Sequence, residues 1–119
     1  GKLTESPWIA EAVLFGDGME HLGALIVPDF ERIKAKAKQE GWALSELSDI
    51  ATSEDVRKLI KSDIDVLNKQ LPDYERIRQF RVLANSFSID SGELTPSLKV
   101  KRRVVKERYA DLIQGMFRL

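Results

Sequence analysis

The chain has 119 residues, 43% hydrophobic and 32% charged, a balance that predicts one folded domain with a modest core and excludes intrinsic disorder. Lys plus Arg and Asp plus Glu both number 19, so no global field steers the chain to nucleic acid or an anionic membrane, and any basic function is local. There is no cysteine and His21 is the only histidine, which excludes disulfides, thiolate chemistry, Cys/His metal sites and a histidine-based triad within the chain.

No apolar run approaches the roughly 18 residues needed to span a bilayer, and the opening Gly1-Lys2-Leu3-Thr4-Glu5-Ser6-Pro7 does not resemble a signal peptide. A soluble, cytoplasmic protein is expected. Because the chain opens without methionine, on residues that suit the last turn of a helix, it is also expected to be a piece of something longer.

Trp8 to Phe15 and His21 to Val27 are apolar runs separated by Gly16-Asp17-Gly18, the pattern of a hairpin. Their nearly continuous hydrophobicity predicts strands covered on both faces. Pro28 breaks the second run, and Asp29 suits the N-cap of a helix over 30–40 that ends at Gly41, with Phe30, Ile33 and Ala37 facing the core. Residues 42–51 read as a connection with one helical turn around Ser45 to Leu47. Thr52-Ser53-Glu54-Asp55 then starts a long helix, in which Val56, Leu59, Ile60, Ile64, Leu67 and Leu71 make an apolar face until Pro72.

Ile77 to Leu83 alternates polar and apolar side chains and reads as a half-buried strand, with Ala84 to Ile89 as its continuation after a kink or bulge. Asp90-Ser91-Gly92 is a turn and Glu93 to Leu98 a loop, because Pro96 biases Thr95 towards extended backbone. The last segment places Val100, Val104, Val105, Tyr109, Leu112, Ile113 and Met116 on one stripe of a single closing helix. The sum is a compact α+β domain, a small sheet made of the hairpin plus a later strand and flanked by about three helices.

The segment with most chemical content is Leu94-Thr95-Pro96-Ser97-Leu98-Lys99-Val100-Lys101-Arg102-Arg103, a constrained loop that delivers a lysine into a basic helix start. Lys99 is a mobile point cation able to neutralise charge developing on a carboxylate or phosphate. The plain alternative is a solvated lysine in a charge run. Lys99, Lys101, Arg102, Arg103, Lys106 and Arg108 face one acid, Glu107, between 99 and 108, which suggests a phosphate-binding face or, more simply, a solvated one. No aromatics interleave with these charges to stack bases, so nucleic acid is not expected as a partner. Gly16-Asp17-Gly18 could direct N–H groups at an anion, although an ordinary turn uses the same residues. Asp63, Asp65, Asp73 and Glu75 lack the pairing that metal binding requires, and no metal site is expected.

Ser6 to Gly18, Ala24-Leu25-Ile26-Val27-Pro28-Asp29-Phe30 and Gly92 to Arg103 together resemble the C-terminal region of bacterial AMP-forming long-chain acyl-CoA synthetases, members of the adenylate-forming superfamily. That resemblance covers essentially the whole chain. It implies that residues 1–119 are the C-terminal lid domain of a long-chain fatty acid–CoA ligase, with the large N-terminal adenylation domain and the hinge lying upstream. Lys99 matches the family's catalytic lysine, with Thr95, Pro96 and Leu98 positioning it. Acetate-activating branches carry glycine immediately before that lysine, whereas this chain has Leu98, and Ser97 stands where threonine is frequent. Further candidates are Gly16, Asp17 and Gly18 as a loop on the coenzyme A side, and Lys101, Arg102 and Arg103 as phosphate contacts.

The resemblance further implies ATP, Mg2+ and coenzyme A as the whole enzyme's cofactors, fatty acid, ATP and coenzyme A as its substrates, and peripheral association with the inner membrane as an option. The fragment alone is expected to be inactive and to bind none of these tightly. The rival reading is a stand-alone module whose basic C-terminal helix binds a phosphate-rich or acidic partner.

Overall fold

The computed structural model describes residues 2–117. Its centre is a three-stranded mixed sheet of β1 (Ile9–Phe15), β2 (Leu22–Pro28) and β3 (Ile77–Val82) in the order β1-β2-β3. β1 and β2 pair antiparallel, with Val13 opposite Leu25, while β2 and β3 run parallel, with Ala24 opposite Phe80. A parallel neighbour requires a long crossover. Here it contains α1 (Phe30–Glu40), α2 (Leu47–Thr52) and α3 (Glu54–Asn68).

Side-chain alternation along β2 builds a core on each face of the sheet. Ala24 and Ile26 join Ile33, Ile50, Val56, Ile60 and Ile64 from the crossover helices. Leu25 and Val27 join Phe87, Val105, Ile113 and Met116 on the opposite face, beneath α4 (Arg102–Arg108) and α5 (Ala110–Phe117). The expectation that both hairpin strands are covered on both faces therefore holds for β2 and only in part for β1, which sends Ile9 into the first core and Val13 and Phe15 into the second. β1 is an edge strand, and Ala10 and Leu14 remain exposed where the helical layers stop short.

Local signals explain the crossover. The Asp29 carboxylate accepts from Arg32 N–H at 3.0 Å at the start of α1, and Gly41 closes that helix at φ 76°. Ser53 Oγ accepts from Val56 N–H at 3.2 Å to start α3. That helix stops at Asn68, short of Pro72, because the Asn68 side chain accepts from Ile77 N–H at 2.9 Å and donates to Ile77 O at 2.8 Å, tying its end to β3.

Three expectations from the sequence are corrected. The turn expected around Ser45 to Leu47 is the six-residue α2, held by Asp49, whose carboxylate accepts from both Ser45 N–H and Glu46 N–H at 2.9 Å. Residues 84–89 do not extend β3. Leu83 N–H donates to Ile26 O at 2.8 Å, and the chain then turns under Phe87 to join the second core. The closing helix is two helices: Tyr109, at φ −107° and ψ 27°, separates α4 from α5 and rephases the apolar stripe, leaving Leu112 exposed while Val105, Ile113 and Met116 are buried.

Candidate functional site

Lys99 lies at the end of a tight hairpin that leaves the second core. Leu94 and Val100 form an isolated antiparallel bridge. Beyond it, Thr95 N–H donates to Lys99 O and Leu98 N–H donates to Thr95 O, both at 2.8 Å. Residues 96–98 thus form a three-residue hairpin loop closed by a residue in left-handed backbone, a position usually filled by glycine. Leu98 occupies it at φ 66°, the one non-glycine residue with positive φ among the described residues. Thr95 Oγ1 accepts from Lys99 N–H at 3.0 Å and lies 3.1 Å from Ser97 Oγ, so the threonine hydroxyl braces both sides of the turn. Pro96 supplies a preset φ at the turn's first central position. Lys99 is exposed, and among the described residues its ammonium has no ion-pair or hydrogen-bond partner.

The base of the hairpin is held by Glu93, the one buried charged residue among those described, 2% exposed. Ser91 Oγ donates to its Oε1 at 2.5 Å, and the Tyr109 hydroxyl donates to its Oε2 at 3.0 Å. The Arg108 guanidinium stands 3.6 Å from the same Oε2. The Glu93 carbonyl accepts from Lys101 N–H at 2.7 Å, so one residue joins both arms of the hairpin to the junction of α4 and α5. Burial first, then the hydrogen bond and charge of Glu93, raise the Tyr109 phenol above its ordinary 10.0, while Arg108 pulls it the other way.

The loop joining β1 to β2 sits beside the first turn of α4. Gly16 takes φ 135°, and a Cβ there would come 2.6 Å from His21 O, so this tight turn requires glycine. Gly16 O accepts from Met19 N–H at 2.9 Å, and Gly18 takes φ 78°. Arg102 donates to Leu14 O and lays its guanidinium 4.4 Å above the Phe15 ring. A cleft of about 470 Å³ opens here, lined by Phe15, Gly16, Asp17, Arg102 and Lys106 among others.

The structure therefore brings two candidate groups together, Gly16 and Asp17 with Arg102. Gly18 does not line the cleft, and neither do Lys101 and Arg103. Arg103 instead faces Glu107 at 3.5 Å, and Lys101 stands exposed at the start of α4. Within the basic run Arg102, Arg103 and Arg108 have partners inside the domain, yet all of its basic side chains stay exposed. His21 is hydrogen-bonded to Met116 O at 3.3 Å. Among the described residues no group of three or more acidic or histidine side chains is placed to hold a metal ion, and no helix is long and apolar enough to cross a membrane.

Glu93 is the structural support of the hairpin that sequence reasoning missed. A lone acid in a loop carries no signal of burial, and its partners Arg108 and Tyr109 meet it only through the fold.

The profile of the family described as "AMP-binding enzyme C-terminal domain" matches residues 1–119. The chain belongs to this family. It is 37% identical over 117 residues to the long-chain-fatty-acid–CoA ligase FadD15 of Mycobacterium tuberculosis, covering 98% of this chain and 20% of that protein. It is 29% identical over 112 residues to human long-chain-fatty-acid–CoA ligase 6, covering 92% of this chain and 16% of that protein. The AMP-binding C-terminal domain thus spans a fifth or less of these curated relatives. Its fold is shared with the adenylation domain of a carboxylate reductase from Mycobacterium chelonae at a TM-score of 0.73 and 24% identity, covering 98% of this chain and 16% of that one. It is shared equally with an adenylation and carrier didomain of a carboxylic acid reductase from Segniliparus rugosus, solved with AMP, at a TM-score of 0.72 and 23% identity, covering 96% and 14%.

Proposed function

We propose that this chain is the mobile C-terminal domain of an AMP-forming long-chain fatty acid–CoA ligase, and that Lys99 is its catalytic residue. The observation that carries the reading is an exposed, unpartnered ammonium at the end of a hairpin braced by Thr95 and anchored by Glu93, in a chain 37% identical to part of a long-chain ligase.

In the first half-reaction a fatty carboxylate oxygen attacks the α-phosphate of ATP and pyrophosphate leaves, giving acyl-AMP. Lys99 contributes by holding its charge between the carboxylate and the α-phosphate, which orients the nucleophile and offsets negative charge as it builds. In the second, the coenzyme A thiol attacks the acyl carbonyl and AMP leaves. The domain rotates between the two, withdrawing Lys99 and presenting the face near Gly16, Asp17 and Gly18 to coenzyme A, with Lys101, Arg102 and Arg103 available to phosphates. When bound with ATP, Mg2+ would offset charge on the phosphates, and no residue of this chain is assigned to it. The large adenylation domain of the same polypeptide supplies the fatty acid and ATP sites, and the whole enzyme works in the cytoplasm or at the inner face of the membrane.

A Lys99→Ala ligase should lose adenylate formation by about a hundredfold or more, read by pyrophosphate exchange. An unchanged exchange rate would refute the role. A stand-alone binding module is less well supported, because the curated relatives that match this chain are long-chain ligases of which it spans a fifth or less.

A further inference from the structure

Leu98 holds left-handed backbone at φ 66°, where an L side chain crowds the following carbonyl and glycine does not. Its side chain is 65% exposed and belongs to neither hydrophobic core. A leucine here therefore costs the domain backbone strain and returns no packing within it. The residue that bears this cost directly precedes Lys99, and consecutive Cα atoms lie about 3.8 Å apart. Any surface that Lys99 approaches is therefore within reach of the exposed Leu98 side chain, and on the reading above that surface belongs to the large domain, outside a chain that spans 20% of the FadD15 ligase.

We infer that Leu98 is a positioning residue whose exposed side chain docks on an apolar patch of the large adenylation domain and seats Lys99 for adenylate formation. The inference rests on the reading of Lys99 given above. Strain at this turn is offset only in the docked state, so the side chain biases the domain towards the adenylate-forming arrangement and plays no part once the domain has rotated away.

The test uses Leu98→Gly, Leu98→Met and Lys99→Ala in the full-length ligase, with both half-reactions measured separately, and Leu98→Gly in this chain for stability. Leu98→Gly is expected to raise the folding equilibrium constant about threefold to fivefold, because the strain relieved, worth about fivefold to thirtyfold, exceeds the loss of about twofold to fivefold from glycine's freer unfolded chain. The same change is expected to slow pyrophosphate exchange about tenfold or more while thioester formation from supplied acyl-AMP keeps its rate. Leu98→Met, which keeps an apolar side chain of similar volume, is expected to restore exchange. Parental exchange in Leu98→Gly, equal loss of both half-reactions, failure of methionine to rescue, or a less stable glycine variant would each overturn the inference. A defect that grows with acyl chain length would assign the contact to the substrate chain and overturn docking on the domain. If Lys99→Ala exchanges normally, the reading of Lys99 falls as well; if it does not while Leu98→Gly does, only the inference about Leu98 falls.

Discussion

Replacing Glu93 with alanine removes the acceptor for Ser91 Oγ at 2.5 Å and for the Tyr109 hydroxyl at 3.0 Å, and leaves Arg108 without its carboxylate. Hydrogen bonds to a charged group contribute about 1.5–3 kcal/mol each, and truncating one member of a buried charged network costs about 3–5 kcal/mol. Arg108 is 45% exposed and Tyr109 half-buried, so both recover water, and the cost falls to about 2–3 kcal/mol on the same scale. Glu93→Gln keeps the shape and one acceptor oxygen and should cost about 1 kcal/mol. Urea denaturation of the chain reads these values. With a slope of about 1–3 kcal/mol per molar, alanine should lower the midpoint by about 0.7–3 M. An alanine variant within about 0.5 kcal/mol of the parent, the range of ordinary surface substitutions, would refute the claim that Glu93 anchors the hairpin. So would glutamine costing as much as alanine.

Tyr109 should titrate above 10.0 in phenolate absorbance. A raised phenol pKa means that the fold favours the neutral form, so its contribution to stability is complete below the ordinary pKa and is lost as pH rises through the raised one. Tyr109→Phe should remove that raised step, and loss of a step at the ordinary value instead would contradict the buried hydrogen bond. The 119-residue chain alone should show no micromolar binding of ATP by calorimetry, because the proposed nucleotide site lies in the large domain. Heat of binding in that range would place a nucleotide site within this chain.

Where a single residue type carries a local rule, the sequence was easy to read. Asp29 and Gly41 bound α1, Ser53 starts α3, and the β2 run of apolar residues marks the central strand. Long-range effects were not legible. β1 has nearly the same composition as β2 but lies at an edge, and only topology assigns that position. Tyr109 interrupts what periodicity reads as one helix, and its hydroxyl reaches a carboxylate 16 positions away. Lys99 was found through resemblance, since its own sequence context reads equally well as a solvated charge. What makes that context specific is geometric: a threonine hydroxyl across the turn, a leucine in glycine's conformation, and a buried acid beneath.

The central claim is that Lys99 acts in one half-reaction and is absent from the other. The most direct test compares Lys99→Ala with the parent ligase in pyrophosphate exchange from ATP and fatty acid, and in thioester formation from supplied acyl-AMP and coenzyme A. The account predicts that exchange falls by about a hundredfold or more while thioester formation stays within about threefold of the parent. Equal loss of both, or loss of neither, would contradict it.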